Sequence, residues 1–314
     1  MIKKTSILII ILTCLTLKLF SAEAWIRINQ LGYLPYSVKR AVFMAKEPVD
    51  ISSFALHHAL TDEIVFQAEN PPAKGKFYTF CSTYVLDFSA YKVPGVYYLK
   101  AGNAVSPPVI INKNVYDGTA DYALNYMRQQ RCGYNPSLDM TCHQHDGYEV
   151  SGDDTQKNKF VDVRGGWHDA SDYLQYGTTS SNAIFQMLFA YRQNPDAFGD
   201  QFDAAGKAGA NGIPDILDEA KWGLDWLLRM YPEKEVLYHQ IADDRDHASF
   251  RLPAEDKVDY GWGSGTGRPV YRATGRPQGL FQNKNRSTGI ASIAGKYAAA
   301  FALGSDLLKA YYSE

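Results

Sequence analysis

The stretch NGIPDILDEAKWGLDWLLRMYP, residues 211–232, decides how the larger part of this 314-residue chain folds. Leu217, Ala220, Leu224, Leu227 and Leu228 recur at steps of three and four, so they share one face of an α-helix and form a buried stripe. Pro214 suits a first helical turn, where a backbone N–H would go unbonded in any case, and Asp215, Asp218 and Glu219 lie near the positive end of the helix dipole. The same period recurs at Ala120, Ala123, Leu124 and Met127, in a helix that Gly133 can stop. It recurs again at Ile184, Met187, Leu188 and Tyr191 before Pro195, and at Ile290, Ile293, Ala294, Tyr297 and Phe301. Core packing accounts for all four stripes. Residues 231–287 are Gly/Pro-rich and charged, with no clear element. A segment that long inside a compact domain is functional or disordered, and Tyr260, Trp262, Tyr271 and Phe281 argue against disorder.

Upstream, the period changes. WIRINQLGY, RAVFMA, IVFQAE, TYVLDFSAY, GVYYLKAG and PPVIINK, between residues 25 and 113, are short runs of β-branched and aromatic residues separated by turn signals such as Pro94-Gly95. Six or seven such strands in about 88 residues predict an immunoglobulin-like sandwich over 25–112. The chain lacks a Cys–Trp–Cys framework, so this is not a disulfide-pinned antibody-type domain. Residues 1–24 have another layout: Lys3 and Lys4, an apolar run from Ile7 to Leu17, then Ala22 and Ala24, as in a secretory signal peptide with an A-x-A cleavage site. Cys14 as a lipid anchor is the weaker reading, because Thr13 precedes it poorly. The expectation is an exported protein with no membrane-spanning segment after cleavage.

Composition excludes some classes. A net charge of −2 with interspersed signs gives no basic footprint for nucleic acid or an anionic membrane. Export would leave Cys81, Cys132 and Cys142 open to oxidation or metal binding, and three thiols cannot all pair within one chain.

GGWHDASDYLQY, residues 165–176, places Asp169 and Asp172 three positions apart between Trp167 and Tyr173. Two like charges so close raise the pKa of one partner, which a fold accepts on a wet surface or at a site that needs both.

Taken in order, IRINQLGYLP, the RCG…CH…DG spacing, GGWHDASDYLQY, NGIPDILDEAKWGLDWLL and IADDRDHASFRLP resemble successive motifs of glycoside hydrolase family 9, the cellulase-type family that carries an N-terminal immunoglobulin-like module. The resemblance runs from Trp25 to Glu314. It implies a sandwich followed, over 113–314, by the first part of an (α/α)6 barrel, and inverting hydrolysis of β-1,4-glucosidic bonds in cellulose, mixed-linkage glucan or xyloglucan. It also implies Asp172 as general base, Asp169 sharing the hold on the water, and His247, Phe250, Trp167 and Tyr173 against the sugar. Phe250 stands where the family often has tryptophan, and Leu252 replaces a frequent arginine before Pro253. Cys132, Cys142 and His143 resemble three of the four ligands of a structural zinc site. The position corresponding to the fourth is Gln175, which leaves His145 and His168 as substitutes and a Cys132–Cys142 disulfide as the alternative. No cofactor is implied for the chemistry, the sequence does not decide calcium, and a monomer is expected. No glutamate sits in a motif that would supply the general acid, so that residue is expected beyond this chain and the fragment alone is expected to be inactive. Two further readings stay open: an exo-acting β-glucosidase or glucosaminidase of the same family, and a non-catalytic glycan-binding remnant.

Overall fold

The computed structural model describes residues 23–150, 159–248, 250–278 and 289–312. All but the last two residues of the expected signal peptide, and Phe281, lie outside them; Ala24, its expected last residue, opens the first strand. Two compact units divide between Asp117 and Gly118, against a sequence boundary after Asn112.

The first unit is two antiparallel sheets. One is β1 (Ala24–Arg27), β2 (Arg40–Ala45) and β5 (Ser82–Asp87), in that order; the other is β4 (Ile64–Glu69), β3 (Ser53–His58), β6 (Gly95–Ala101) and β7 (Ala104–Val105), with β8 (Val109–Ile111) also on β6. Alternate residues of each sheet face inward, as the two-residue period of a strand requires. Phe43, Ala45 and Leu86 from one sheet and Leu56, Leu99 and Ile111 from the other are at most 1% exposed. The strand SFALHH was missed in the sequence, because its inner residues do not alternate cleanly with polar ones.

Among the described residues the second unit is built on four α-helices: α1 (Thr119–Gln129), α2 (Gly177–Gln193), α3 (Asp215–Arg229) and α4 (Ile290–Leu308). α2 packs against both α3 and α4, burying Ile184 and Leu188 with Leu217, Leu224, Leu227, Ile293 and Tyr297. Three local expectations need correction. Pro214 caps α3 from outside with extended backbone, φ −54 and ψ 131, instead of sitting in its first turn. The buried stripes are narrower than expected: Leu228 is 56% exposed and Ile290 50%, and Ala123 and Ala294 also face solvent. The stretch 231–287 is not free of elements: it supplies β13 (Tyr238–Ile241) and β14 (Pro269–Arg272), and two short 3₁₀ turns, Asp244–Ala248 and Pro253–Glu255.

Those strands join β11 (Tyr148–Val150) and β12 (Gln175–Tyr176) in the order β11-β14-β13-β12; a separate small hairpin pairs β9 (Tyr134–Asn135) with β10 (Met140–Thr141). β12 and β13 are antiparallel, with Gln175 opposite Ile241. The chain therefore enters β12 from residue 172 beside the point where it leaves β13 toward residue 247. That one pairing builds the site.

Candidate active site and its metal-ligand cluster

The Gly-Gly pair before Trp167 has a steric cause. Gly165 and Gly166 hold φ of 110° and 70°, and a Cβ on Gly166 would lie 2.5 Å from the Trp226 ring. Only glycine allows both the left-handed turn and that approach. The turn drives Trp167 into the core, over Gly223 of α3, where its Nε1 donates to Glu219 at 2.8 Å. Glu219 also takes two hydrogen bonds from Arg131, at 3.2 and 2.7 Å, so the buried carboxylate is fully engaged.

Beyond this anchor the chain surfaces. Asp169 donates its N–H to the Leu174 carbonyl and accepts the Thr179 hydroxyl at 3.1 Å. Protein packed on one side of its carboxyl raises the pKa; the Thr179 hydrogen bond opposes this, and the charge of Asp172 adds to it. Asp172 accepts the Leu174 N–H on Oδ1 at 3.2 Å and turns Oδ2 to within 3.5 Å of His247 Nε2, while Asp244 lies 3.5 Å from the other ring nitrogen. His247 is about half exposed, so the imidazole stands between two carboxylates with one face open. Phe250 is 88% exposed. Asp169, Asp172, His247 and Phe250 thus all keep access to solvent, and the structure brings His247 to Asp172.

Trp167 and Tyr173 were also expected against the sugar, and the structure corrects both. Trp167 is 3% exposed and Tyr173 6%. Trp167 fills the notch at Gly223. Tyr173 is held from three directions: its N–H donates to Asp246, its hydroxyl to the Arg251 carbonyl, and its ring packs 4.8 Å from His168 and 5.5 Å from His143. Both support the loop from beneath.

Directly under Tyr173, one ligand atom each from Cys132, Cys142, His143 and His168 lies within 4.8 Å of all the others. Cys132 Sγ is 3.6 Å from His143 Nδ1, and Cys142 Sγ is 3.7 Å from His168 Nε2. Cys142 accepts the Gly133 N–H, and His143 directs its far nitrogen at Asp256, 3.0 Å away. Burial pushes the Cys132 thiol up, whereas the hydrogen bond from Cys132 holds Cys142 down. Two thiols, two imidazoles and a carboxylate behind one imidazole are the donor set and outer partner that suit zinc. Gln175 is not part of it: its amide donates to Gly165 and accepts from Arg268, both at 2.7 Å. The fourth donor is His168. All three described cysteines are free thiols, Cys81 being exposed.

Sequence reading missed Arg268, Asp246, Asp256 and Asp244. The first three have buried side chains, each with at least one partner remote in sequence: Asp146 for Arg268, Tyr173 for Asp246 and His143 for Asp256. Only the density of charge in DDRDH hinted at a site.

The comparisons with known proteins fit this geometry. The sequence model of Glycosyl hydrolase family 9 matches residues 116–314, and that of the cellulase N-terminal ig-like domain matches 21–106. The chain is 30% identical over 263 residues to Endoglucanase C of Cellulomonas fimi, covering 74% of this chain and 23% of that protein. It is 30% identical over 233 residues to a xyloglucan-specific endo-beta-1,4-glucanase of Bacteroides ovatus, covering 69% and 38%. The solved structure of a metagenome-derived glycoside hydrolase family 9 endoglucanase superposes with a TM-score of 0.68 at 28% identity, over 92% of this chain and 51% of that one. The chain spans less than half the length of these curated relatives. Its sandwich is the immunoglobulin-like module, and the helices described in its second unit are part of an (α/α)6 barrel.

Proposed function

Since the chain belongs to glycosyl hydrolase family 9, we propose that it carries the water-activating half of a site that cleaves β-1,4-linked glucans with inversion at the anomeric carbon. Asp172 is the general base. It is the less exposed of the two carboxylates, and its orientation is fixed by the Leu174 N–H and by His247. Asp169 shares the water, so that two acceptors direct its lone pair at the sugar carbon. His247 offers its open edge to sugar hydroxyls, and Phe250 offers a ring face for stacking. The placement of Asp172 beside His247 by the β12–β13 pairing is the observation that carries this reading.

The proton donor to the leaving oxygen is assigned outside these 314 residues, in keeping with the share of the relatives that the chain spans. On that assignment the chain by itself binds glucan without hydrolysing it. Cys132, Cys142, His143 and His168 would hold a zinc ion, whose part would be to stiffen the base loop from beneath and not to cleave the bond. Residues 1–24 direct export.

The test is hydrolysis of a soluble β-glucan by the protein in a length that turns over substrate, with the product anomer read by NMR. Inversion yields the α-anomer. Asp172→Asn should cut kcat by about 10²–10⁴-fold, the range of general-base assistance, and leave oligosaccharide affinity nearly unchanged. A β-anomeric product, or an Asp172→Asn enzyme as fast as the parent, overturns the assignment. Rapid hydrolysis by the 314 residues alone would instead show that the acid lies within them.

A further inference from the structure

Arg268 is 2% exposed, sits just before β14, and makes contacts in four directions. Its Nε and Nη2 lie on the Asp146 carboxylate, with Nη2–Oδ2 at 2.5 Å. Nη2 also donates to the Gln175 side-chain oxygen at 2.7 Å and to Cys132 Sγ at 3.5 Å. Nη1 donates to the backbone carbonyl of Tyr173. Tyr173 is the residue after the proposed base, and Gln175 lies two further on. One guanidinium therefore touches a cluster thiol and two points of the loop that carries Asp172.

A second path returns to the same residue. The Tyr173 N–H donates to Asp246, which accepts from Arg251 Nη2 on its other oxygen. Arg251 Nε donates to Asp256 at 2.7 Å, and Asp256 holds His143 at 3.0 Å. His143 faces Cys132 across 3.6 Å. The contacts close into a ring: Cys132, Arg268, the Tyr173 backbone from C=O to N–H, Asp246, Arg251, Asp256, His143 and back to Cys132. Most of its links join a charged group to a hydrogen-bonding partner, and these are the stronger kind. They are also sheltered from the water that weakens surface pairs. Asp246 and Asp256 have at most 5% of their side chains exposed.

We propose that Arg268 is a positioning residue through which the state of the Cys132/Cys142/His143/His168 cluster sets the position of the Asp172 loop. The reasoning is mechanical. Tyr173 is fixed at both its N–H, in the peptide unit shared with Asp172, and its C=O, in the next unit, and each restraint leads within a few hydrogen bonds to a different ligand of the cluster. A metal ion that fixes Cys132 and His143 would fix both ends of the ring, and with them the two peptide units that flank Tyr173, the first of which adjoins the base. When those two ligands are free to rotate, Arg268 and Asp256 lose their reference positions and the loop gains freedom. Tyr173 itself needs no contact with the sugar for this; its buried ring against His143 and His168 adds a packing link in the same direction. The inference rests on the metal reading of the cluster but not on the glycan reading of the loop.

Hydrogen exchange separates those two. In the zinc-loaded chain the Tyr173 amide should exchange at least tenfold more slowly than in the same chain stripped by a chelator, with no glycan present. In Arg268→Met that difference should shrink to less than threefold while the variant still takes up one equivalent of metal. Cobalt(II) in place of zinc adds a readout that a merely structural role would not move. Loss of the Nη2–Sγ hydrogen bond should shift the thiolate-to-cobalt charge-transfer band in Arg268→Met, and Arg268→Lys should restore it in part. Equal exchange of the Tyr173 amide with and without metal in the parent chain overturns the proposal, whatever the variants do. So does a chain that binds no metal, which would refute the metal reading as well. If Arg268→Met does not fold, Asp256→Asn breaks the opposite arm of the ring and should remove the same protection; full protection in that variant counts against the ring.

Discussion

A single methyl group in α3 tests how the base loop is anchored. A Cβ on Gly223 would lie 2.2 Å from Trp167 Cη2, 2.4 Å from its Cζ3 and 2.7 Å from an Ile184 carbon. Real Cβ atoms do not approach so closely, and all three neighbours are buried, so Gly223→Ala must move the indole. Three contributions compete. Alanine in a helix interior gains about 0.8–1 kcal/mol over glycine. Overpacking a dense core costs about 1–3 kcal/mol. Drawing Trp167 Nε1 away from its 2.8 Å bond leaves a buried N–H unpaired, at about 1–3 kcal/mol more. The losses win, and the net is a destabilisation of about 1–5 kcal/mol. For a unit of this size each kcal/mol lowers Tm by about 2–4 °C, so the second unit should melt roughly 2–20 °C lower. Gly295→Ala is the matched control: it lies in α4, a Cβ there meets nothing within 4 Å, and it should stabilise by about 0.5–1 kcal/mol. Thermal unfolding followed by near-UV circular dichroism reads both. A Gly223→Ala chain as stable as Gly295→Ala would mean that Trp167 is not seated on α3, and the account of the Gly-Gly turn would fail with it.

Three other outcomes follow from the same structure. His239 on β13 is 2% exposed, and burial lowers its pKa to about 4. The unfolded chain then binds the extra proton between pH 6.5 and 4, so this contribution is complete above pH 6.5 and fades as pH falls to 4. It amounts to about 3 kcal/mol, and His239→Gln should lose that part of the acid sensitivity in urea titrations at pH 7 and 4.5; an unchanged difference between the two pH values refutes it. The purified chain should carry close to one zinc, and chelation should lower Tm by about 5–10 °C, as expected for a ligand held at a hundred times its Kd or more; metal analysis near zero removes the zinc assignment. Phe250→Ala should leave stability within about 0.5 kcal/mol, because the ring is exposed. It should weaken cello-oligosaccharide binding about tenfold, and unchanged calorimetric affinity would take Phe250 out of the cleft.

The helices were legible because their stripes run for three turns or more, long enough for a 3.6-residue period to stand out from chance. Leu217, Ala220, Leu224 and Leu227 are all buried where the spacing put them. The strands β9 to β14 were not legible, at two to four residues each. Such a run has no period to read, and Tyr238–Ile241 is buried at all four positions, so it shows no alternation either. Its identity as a strand comes from its partners, above all from Gln175 opposite Ile241, which are 66 positions apart.

The candidate site divides along the same line. Asp169 and Asp172 could be read because their spacing is local, and Cys132, Cys142 and His143 because thiols and imidazoles are scarce residue types with few uses. Trp167 and Tyr173 were misassigned for a physical reason: an aromatic ring beside two carboxylates has the same one-letter signature whether it faces sugar or core. What separates the two cases is remote, the empty volume at Gly223 for Trp167 and the Asp246 carboxylate for Tyr173. The buried charges were the least visible. Glu219 reads in sequence as a helix N-terminal acid, and a helix dipole is reason enough for it to be there; in the fold it joins Arg131 to the Trp167 indole. Asp246 reads as one more acid in DDRDH, and in the fold it holds the N–H of the residue after the proposed base. A buried carboxylate is tolerable only when its hydrogen bonds are met. Glu219 and Asp246 are each met partly by an arginine, Arg131 and Arg251, and partly by one end of the same loop, Trp167 Nε1 and the Tyr173 N–H, so the burial that would penalise each acid alone ties down the chain on both sides of Asp169 and Asp172.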